Sequence, residues 1–274
     1  MQRNFRRMKN KKAQALLSNF IILIIFLVVV SIGGLLAGKG KMWMDNLKVT
    51  IDGKEINDLK PFEREIFPAE KDKEFDNGSQ IGSITDDKNQ IENLKTLGFI
   101  WGFLKYYHPN IATGDYNWDY ELFRILPEVL NSENGIKRDE ILVKWIDNFG
   151  QFSEGREINI NSSEIKIEPD LNWIKTSTFS VELTTLLLKV KNANRQVENY
   201  YVGLQPFVGN PDFKNENAYS SMKYPDAGFR LLALYRYWNI VQYYFPYKNL
   251  FDEDWEKALE EFIPKIISAN NETD

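Results

Sequence analysis

The chain has 274 residues, no cysteine and a single histidine, with 43% hydrophobic and 14% aromatic residues. That composition suits one or two folded domains with a sizeable core, and it excludes disulfides, thiolate metal sites and a cysteine nucleophile. The net charge of −5 hides an asymmetry, because residues 1–41 carry eight basic side chains and no acid, leaving 26 basic against 39 acidic residues and a net of −13 beyond them; so acidic a body repels phosphates, and no nucleic-acid partner is expected.

Six basic residues (Arg3, Arg6, Arg7, Lys9, Lys11 and Lys12) precede an uncharged run from Ala13 to Gly38. About 20 apolar residues at 1.5 Å each cross the hydrocarbon layer. Residues 18–38 are therefore expected to be a transmembrane anchor, with residues 1–17 as a basic cytoplasmic N-terminus. The body then lies outside the inner membrane. A cleaved signal peptide is the alternative, although the residues before Ala37 and Gly38 make a poor small-x-small site. Residues 39–90 read as a small β element followed by a polar linker. Leu47–Ile56 alternates around Asp52-Gly53, a hairpin-turn signal, and Pro68–Gln90 is charged and poor in large apolar residues.

From residue 91 to 274 the helical period takes over. Leu94, Leu97, Trp101, Leu104 and His108 form one stripe that Pro109 ends. Asp115 and Asn117 are cap candidates for a second stripe of Trp118, Leu122, Ile125, Leu126 and Val129, which Pro127 should end or kink. Ile141, Leu142, Trp145 and Phe149 make a third, with Gly150 as its stop. REINI and SEIKIEP, between Arg156 and Pro169, alternate like short strands. Ser180 is a possible cap for Leu183, Leu186, Leu187 and Val190. Asn199–Phe213 reads as extended segments and turns, and a further helix runs up to Pro246. The expected fold is mainly α: an N-terminal transmembrane helix, a small β element, and a helical domain with minor β segments.

That domain is built on a repeat. At an offset of 137 residues, 94–131 aligns with 231–268 without a gap and with ten identities, among them Trp101/Trp238, Tyr106/Tyr243, Tyr107/Tyr244, Pro109/Pro246, Trp118/Trp255 and Pro127/Pro264. The unit is an αα-hairpin used twice. In each copy the tryptophans supply the largest apolar area, and each indole N–H needs one polar partner. His108 faces Phe245 in the alignment. A position that also accepts Phe points to packing, with the imidazole free to donate to helix-end carbonyls. A catalytic role would need a nucleophile or an orienting carboxylate close by, and a hydrolase using His108 is the alternative.

No G-x-S-x-G, H-E-x-x-H, P-loop or G-x-G-x-x-G occurs. Asp252–Glu256 (DEDWE) lacks the spacing of a calcium loop and reads as a helix start with acids near the positive dipole end. Ser-x-x-Lys occurs at Ser163–Lys166 and Ser220–Lys223, but in polar surroundings, whereas a lysine base must be desolvated. The aromatic stretch Tyr200–Phe213 could contact a glycan or peptide, although packing is the more frequent use. No catalytic, cofactor-binding or metal-binding residue is assigned, and no cofactor is expected.

The segments LGFIWGFLKYYHPNIATGDYNWDYELFRILPEVL and YPDAGFRLLALYRYWNIVQYYFPYKNLFDEDWEKALEEFIPKII, with YYVGLQPFVGNPDFKNENAY between them, resemble the amino-terminal region of exported S41-family serine peptidases. These are the carboxy-terminal-processing (tail-specific) protease relatives of Bacteroidota. The resemblance runs from about Ile91 to the last residue and implies a helical accessory domain. In that family a Ser nucleophile and a Lys base lie in a downstream domain, usually with a PDZ-type module, and no position here matches those motifs. The resemblance therefore implies a chain inactive alone, whose peptide or protein substrate would be engaged through a downstream domain. A non-catalytic interaction module is the alternative.

Overall fold

The computed structural model describes residues 41, 50–51, 53–55, 58, 64–155, 169–195, 198–252 and 254–271. The expected anchor at 18–38, the basic segment before it, the two alternating stretches between 156 and 168 and the Ser163–Lys166 pair lie outside these residues. Among the described residues, no helix is long and apolar enough to cross a membrane.

Two compact units divide at residues 64 and 65. In the first, β1 (Thr50–Ile51) pairs antiparallel with β2 (Lys54–Glu55). Gly53 takes φ +79° in the turn, a conformation that needs no Cβ.

The second unit is mainly helical. It runs through α1 (Pro68–Lys71), α2 (Lys88–Tyr107), α3 (Trp118–Leu130), α4 (Gly135–Asp147), α5 (Trp173–Thr176) and α6 (Val181–Lys191). A hairpin of β3 (Val202–Leu204) and β4 (Pro211–Phe213) follows, and then α7 (Ala227–Tyr244) and α8 (Trp255–Ser268). Short polar side chains start the long helices: Asp87, Asn117, Asn134, Ser180, Asp226 and Asp254 each accept a first-turn N–H. Of the two cap candidates before α3, Asn117 is the cap, and Asp115 accepts the Thr113 hydroxyl instead.

The two hairpins, α2–α3 and α7–α8, close in the same way. His108 and Phe245 end their helices with nearly equal backbone angles, φ −83°, ψ 117° and φ −79°, ψ 116°. A following proline imposes this extended form. Inside each hairpin the tryptophans clasp reciprocally. The Trp101 indole donates to the Trp118 carbonyl at 2.9 Å and the Trp118 indole to the Trp101 carbonyl at 3.0 Å. Trp238 and Trp255 repeat this at 2.8 and 3.2 Å. Both ring pairs stack with centroids 6.3 Å apart. Each indole thus satisfies its N–H on the carbonyl of the other tryptophan while burying its face. Pro127 and Pro264 do not end their helices, which continue to Leu130 and Ser268. The packed apolar stripes on both sides of each proline outweigh the lost backbone bond.

The helices α2 and α7 cross on glycines. A Cβ on Gly102 would lie 1.9 Å from Asn239 side-chain atoms, and one on Gly98 2.8 Å from the Tyr235 ring. Glycine at both positions, one turn apart, lets Tyr235 and Asn239 sit against the α2 backbone. There the Tyr235 hydroxyl donates to the Leu94 carbonyl at 2.6 Å and the Asn239 amide to the Gly98 carbonyl at 3.1 Å. Helix α4 covers the first hairpin, with Trp145 stacked on Trp118 at 5.3 Å, and Gly150 (φ +88°) follows its end.

Residues 68–90, read from sequence as linker, belong to the helical unit. Ala69, Phe75 and Ser79 are buried. Arg124 on α3 holds Asp72 and Glu74, and Ser79 binds Asp226 through its N–H at 2.7 Å and its hydroxyl at 2.5 Å. The apolar residues here are too widely spaced to set a period, so the packing leaves no sequence signal.

Candidate functional site

The Trp-x4-Tyr-Tyr-x-Pro element ends each long helix in a tyrosine pair, and the crossing of α2 and α7 brings the two pairs together. Tyr106 lies edge-on to Tyr243 and Tyr244 with centroids 5.3 and 5.0 Å apart, and Tyr107 lies 5.8 Å from Tyr243. Burial holds the Tyr106, Tyr243 and Tyr244 phenols well above their usual pKa, so all three are neutral near pH 7. Beside them opens a cleft lined by Tyr106, Tyr107, His108, Arg195, Asn199 and the β3 strand. At about 220 Å³ it is smaller than a typical small-molecule site. The Arg195 guanidinium lies over the Tyr107 ring at 4.7 Å. Asn199 is held between the Tyr201 N–H and the Lys105 carbonyl.

His108 borders this cleft but is itself buried. Among the described residues neither ring nitrogen has a hydrogen-bond partner, and the ring sits edge-on to Phe152 at 4.8 Å and Phe149 at 6.0 Å. Burial lowers its pKa from 6.5 to about 4. The helix-end carbonyl of Leu104 is met by the His108 backbone N–H at 2.9 Å and not by the imidazole. A neutral imidazole among phenylalanines, with no carboxylate to orient it and no hydroxyl to activate, has the surroundings of a packing residue.

Behind the tyrosines lies a buried ionic cluster. Lys105 is almost fully enclosed, donates to Glu216, and rests its ammonium over the Trp101 and Tyr201 rings at 5.1 and 5.2 Å. Arg236 donates to Asp119 and to the Asn217 carbonyl, and the Tyr219 hydroxyl donates to Asp119 at 2.9 Å. Burial lowers the Lys105 pKa, against the opposing pull of Glu216 and Asp119. Two cations and two carboxylates balance, and aromatic faces supply part of what water would. Lys105 has the desolvation of a lysine base, but its bonding partner is a carboxylate and not a serine hydroxyl. None of these four charged residues stands out in the sequence as a site. The paired residues are 111 and 117 positions apart, and the one local sign is a lysine one turn after Trp101 within an apolar stripe.

The remaining sequence candidates do not converge. Ser220 and Lys223 are both exposed, so this lysine is not desolvated. Asp254 caps α8 by accepting the Glu256 N–H at 3.0 Å. Among the described residues, no group of three His, Asp or Glu side chains is placed to hold a metal. Tyr200 and Tyr201 are buried, and the Tyr201 hydroxyl accepts the Trp118 N–H at 3.0 Å and donates to the Tyr116 carbonyl. Phe207, at the tip of the β3–β4 hairpin, is fully exposed with φ +70°. The arrangement can bind and brace; the hydroxyl–carboxylate pairs it contains, such as Ser79 with Asp226, sit at helix caps and turns. Comparison of the chain with protein families, curated proteins and solved structures finds no match.

Proposed function

We propose that this chain is the helical accessory region of an exported, membrane-anchored S41-type serine peptidase, which supports or gates a Ser/Lys domain and hydrolyses nothing itself. Residues 18–38 would anchor it in the inner membrane, with the N-terminus cytoplasmic and the body periplasmic. The observation that carries the reading is the resemblance of its two long aromatic segments to that family's amino-terminal region. It is supported by the use of those segments: Trp101, Trp118, Trp238, Trp255 and the tyrosine pairs build a frame, as an accessory domain requires. The test is to follow the reading frame past Asp274, then compare hydrolysis of a fluorogenic peptide by this chain and by the extended product. Hydrolysis by the extended product alone is expected. Turnover by the 274-residue chain, or a frame without a Ser/Lys domain, refutes the reading.

A second reading is a non-catalytic helical module that binds a protein or peptide on the outer face of the inner membrane. It draws on the exposed aromatic residues Phe245, Tyr247 and Phe251.

A further inference from the structure

The two hairpins share their internal geometry but not their covering. In the first, α4 lies against α3. Trp145 stacks on Trp118 at 5.3 Å, and Phe149, four residues on, meets Trp118 at 5.3 Å, Tyr116 at 4.9 Å and His108 at 6.0 Å. Trp118, Ile125 and Val129 of this hairpin are buried. The second hairpin has the same face, and among the described residues no helix lies over it. Phe262, which aligns with Ile125, is 46% exposed where Ile125 is 4%, and Tyr237, which aligns with the fully buried Ile100, is 65% exposed. Trp255 and Ile266 are only partly buried.

The bare side chains are continuous. Tyr237 lies 6.4 Å from Trp255, Trp255 5.3 Å from Phe251, and Phe251 5.6 Å from Phe245. Phe262, two turns beyond Trp255, extends the same stripe along α8. A run of large exposed aromatics is uncommon on a surface that meets only water.

We infer that this face of the second hairpin docks an amphipathic α-helix of a partner protein, one presenting an aromatic residue in its last turn and a second just past its end, in the place α4 and Phe149 take on the first hairpin. The first hairpin is the template, since it shows what shape and chemistry cover this surface. A second copy of the chain is not a ready donor, because its own α4 is already packed on its own first hairpin. A lipid surface has no electrostatic reason to settle here, since Asp252, Asp254 and Glu261 stand beside Lys257 and Lys265 on the exposed positions. The inference deepens the interaction-module reading and stands apart from the peptidase reading, because its test involves no hydrolysis.

The probe is a fluorescein-labelled peptide of Glu133–Gly150, titrated against the full chain by anisotropy. Saturable binding is expected, weakened at least about tenfold by Trp145→Ala/Phe149→Ala in the peptide and by Phe262→Glu in the protein. Tyr237→Lys, at a still more exposed position, gives the same loss if Phe262→Glu lowers the melting midpoint. Absence of saturable binding overturns the inference, as does binding that ignores both protein variants, which would place the peptide on the first hairpin in exchange for α4. Sedimentation velocity showing a dimer that Phe262→Glu dissociates overturns it in favour of a second copy. Vesicle binding lost in the same variant overturns it in favour of a membrane contact.

Discussion

Replacing His108 by phenylalanine, the residue type at the matching place in the second hairpin, should make the protein less sensitive to acid. The His108 ring is buried against Phe149 and Phe152 with both nitrogens unpartnered, and its pKa falls from 6.5 to about 4. Below pH 6.5 the unfolded chain takes up a proton that the folded chain refuses until about pH 4. Stability is therefore lost as pH falls through this window, and the loss is complete once pH is below the folded pKa. At about 1.36 kcal/mol per unit, the histidine accounts for about 3 kcal/mol of acid destabilisation. A phenyl ring takes no proton and removes that contribution. At pH 7 the His108→Phe variant should also gain about 1 kcal/mol, since two desolvated nitrogens disappear and the neighbouring cleft leaves room for the larger ring. Urea unfolding followed by tryptophan fluorescence at pH 7 and pH 4.5 measures both. Carboxylates titrate alike in the two proteins, so the readout is the difference between them. If that difference is the same at both pH values, the argument from burial is wrong; a variant weaker at pH 7 by more than about 1 kcal/mol shows that the imidazole makes a bond the geometry does not contain.

Trp118→Phe removes one arm of a fully buried clasp and leaves a gap where the indole stacked on Trp101 and Trp145, at a cost of about 3 kcal/mol. Trp255→Phe, in the partly exposed clasp, should cost about 1 kcal/mol, and equal losses in urea titrations would contradict the unequal covering of the hairpins. Gly102→Ala drives a Cβ into the Asn239 side chain and should cost about 3 kcal/mol. Asn239→Ala in the same chain should restore most of it, and thermal melts of the two singles and the double show whether the pair is coupled. Lys105→Met leaves the partly buried Glu216 without its nearest cation and should cost about 3 kcal/mol. Lys105→Met/Glu216→Leu should recover most of that, and a double no better than the single would mean Glu216 draws its main support from Arg236, 3.8 Å away.

Much of the frame is legible in the chain itself, because it depends on local rules. Apolar residues three and four apart define α2, α3, α4, α6 and α7. Asn117 and Ser180 cap where capping chemistry predicts, and Pro109 and Pro246 stop their helices by steric restriction of the residue before them. The repeat shows in the text because the same clasp needs the same tryptophans at the same separation. Pro127 and Pro264 are where a local rule misleads, since tertiary packing carries both helices past them. Residues 68–90 mislead in the opposite sense: Phe75, Ser79 and Asp72 pack and bond to α3 and α7, but nothing periodic announces it.

What only the tertiary structure decided is which distant residues meet. Gly98 and Gly102 reveal their purpose once Tyr235 and Asn239 lie over them. Lys105 finds Glu216, and Arg236 finds Asp119, across more than a hundred residues, and no spacing rule links such pairs. The same holds for the two faces of the repeat. Sequence makes the hairpins alike, but only packing shows that among the described residues one is covered by α4 and the other is not, because burial is a property of neighbours and not of the residue that is buried.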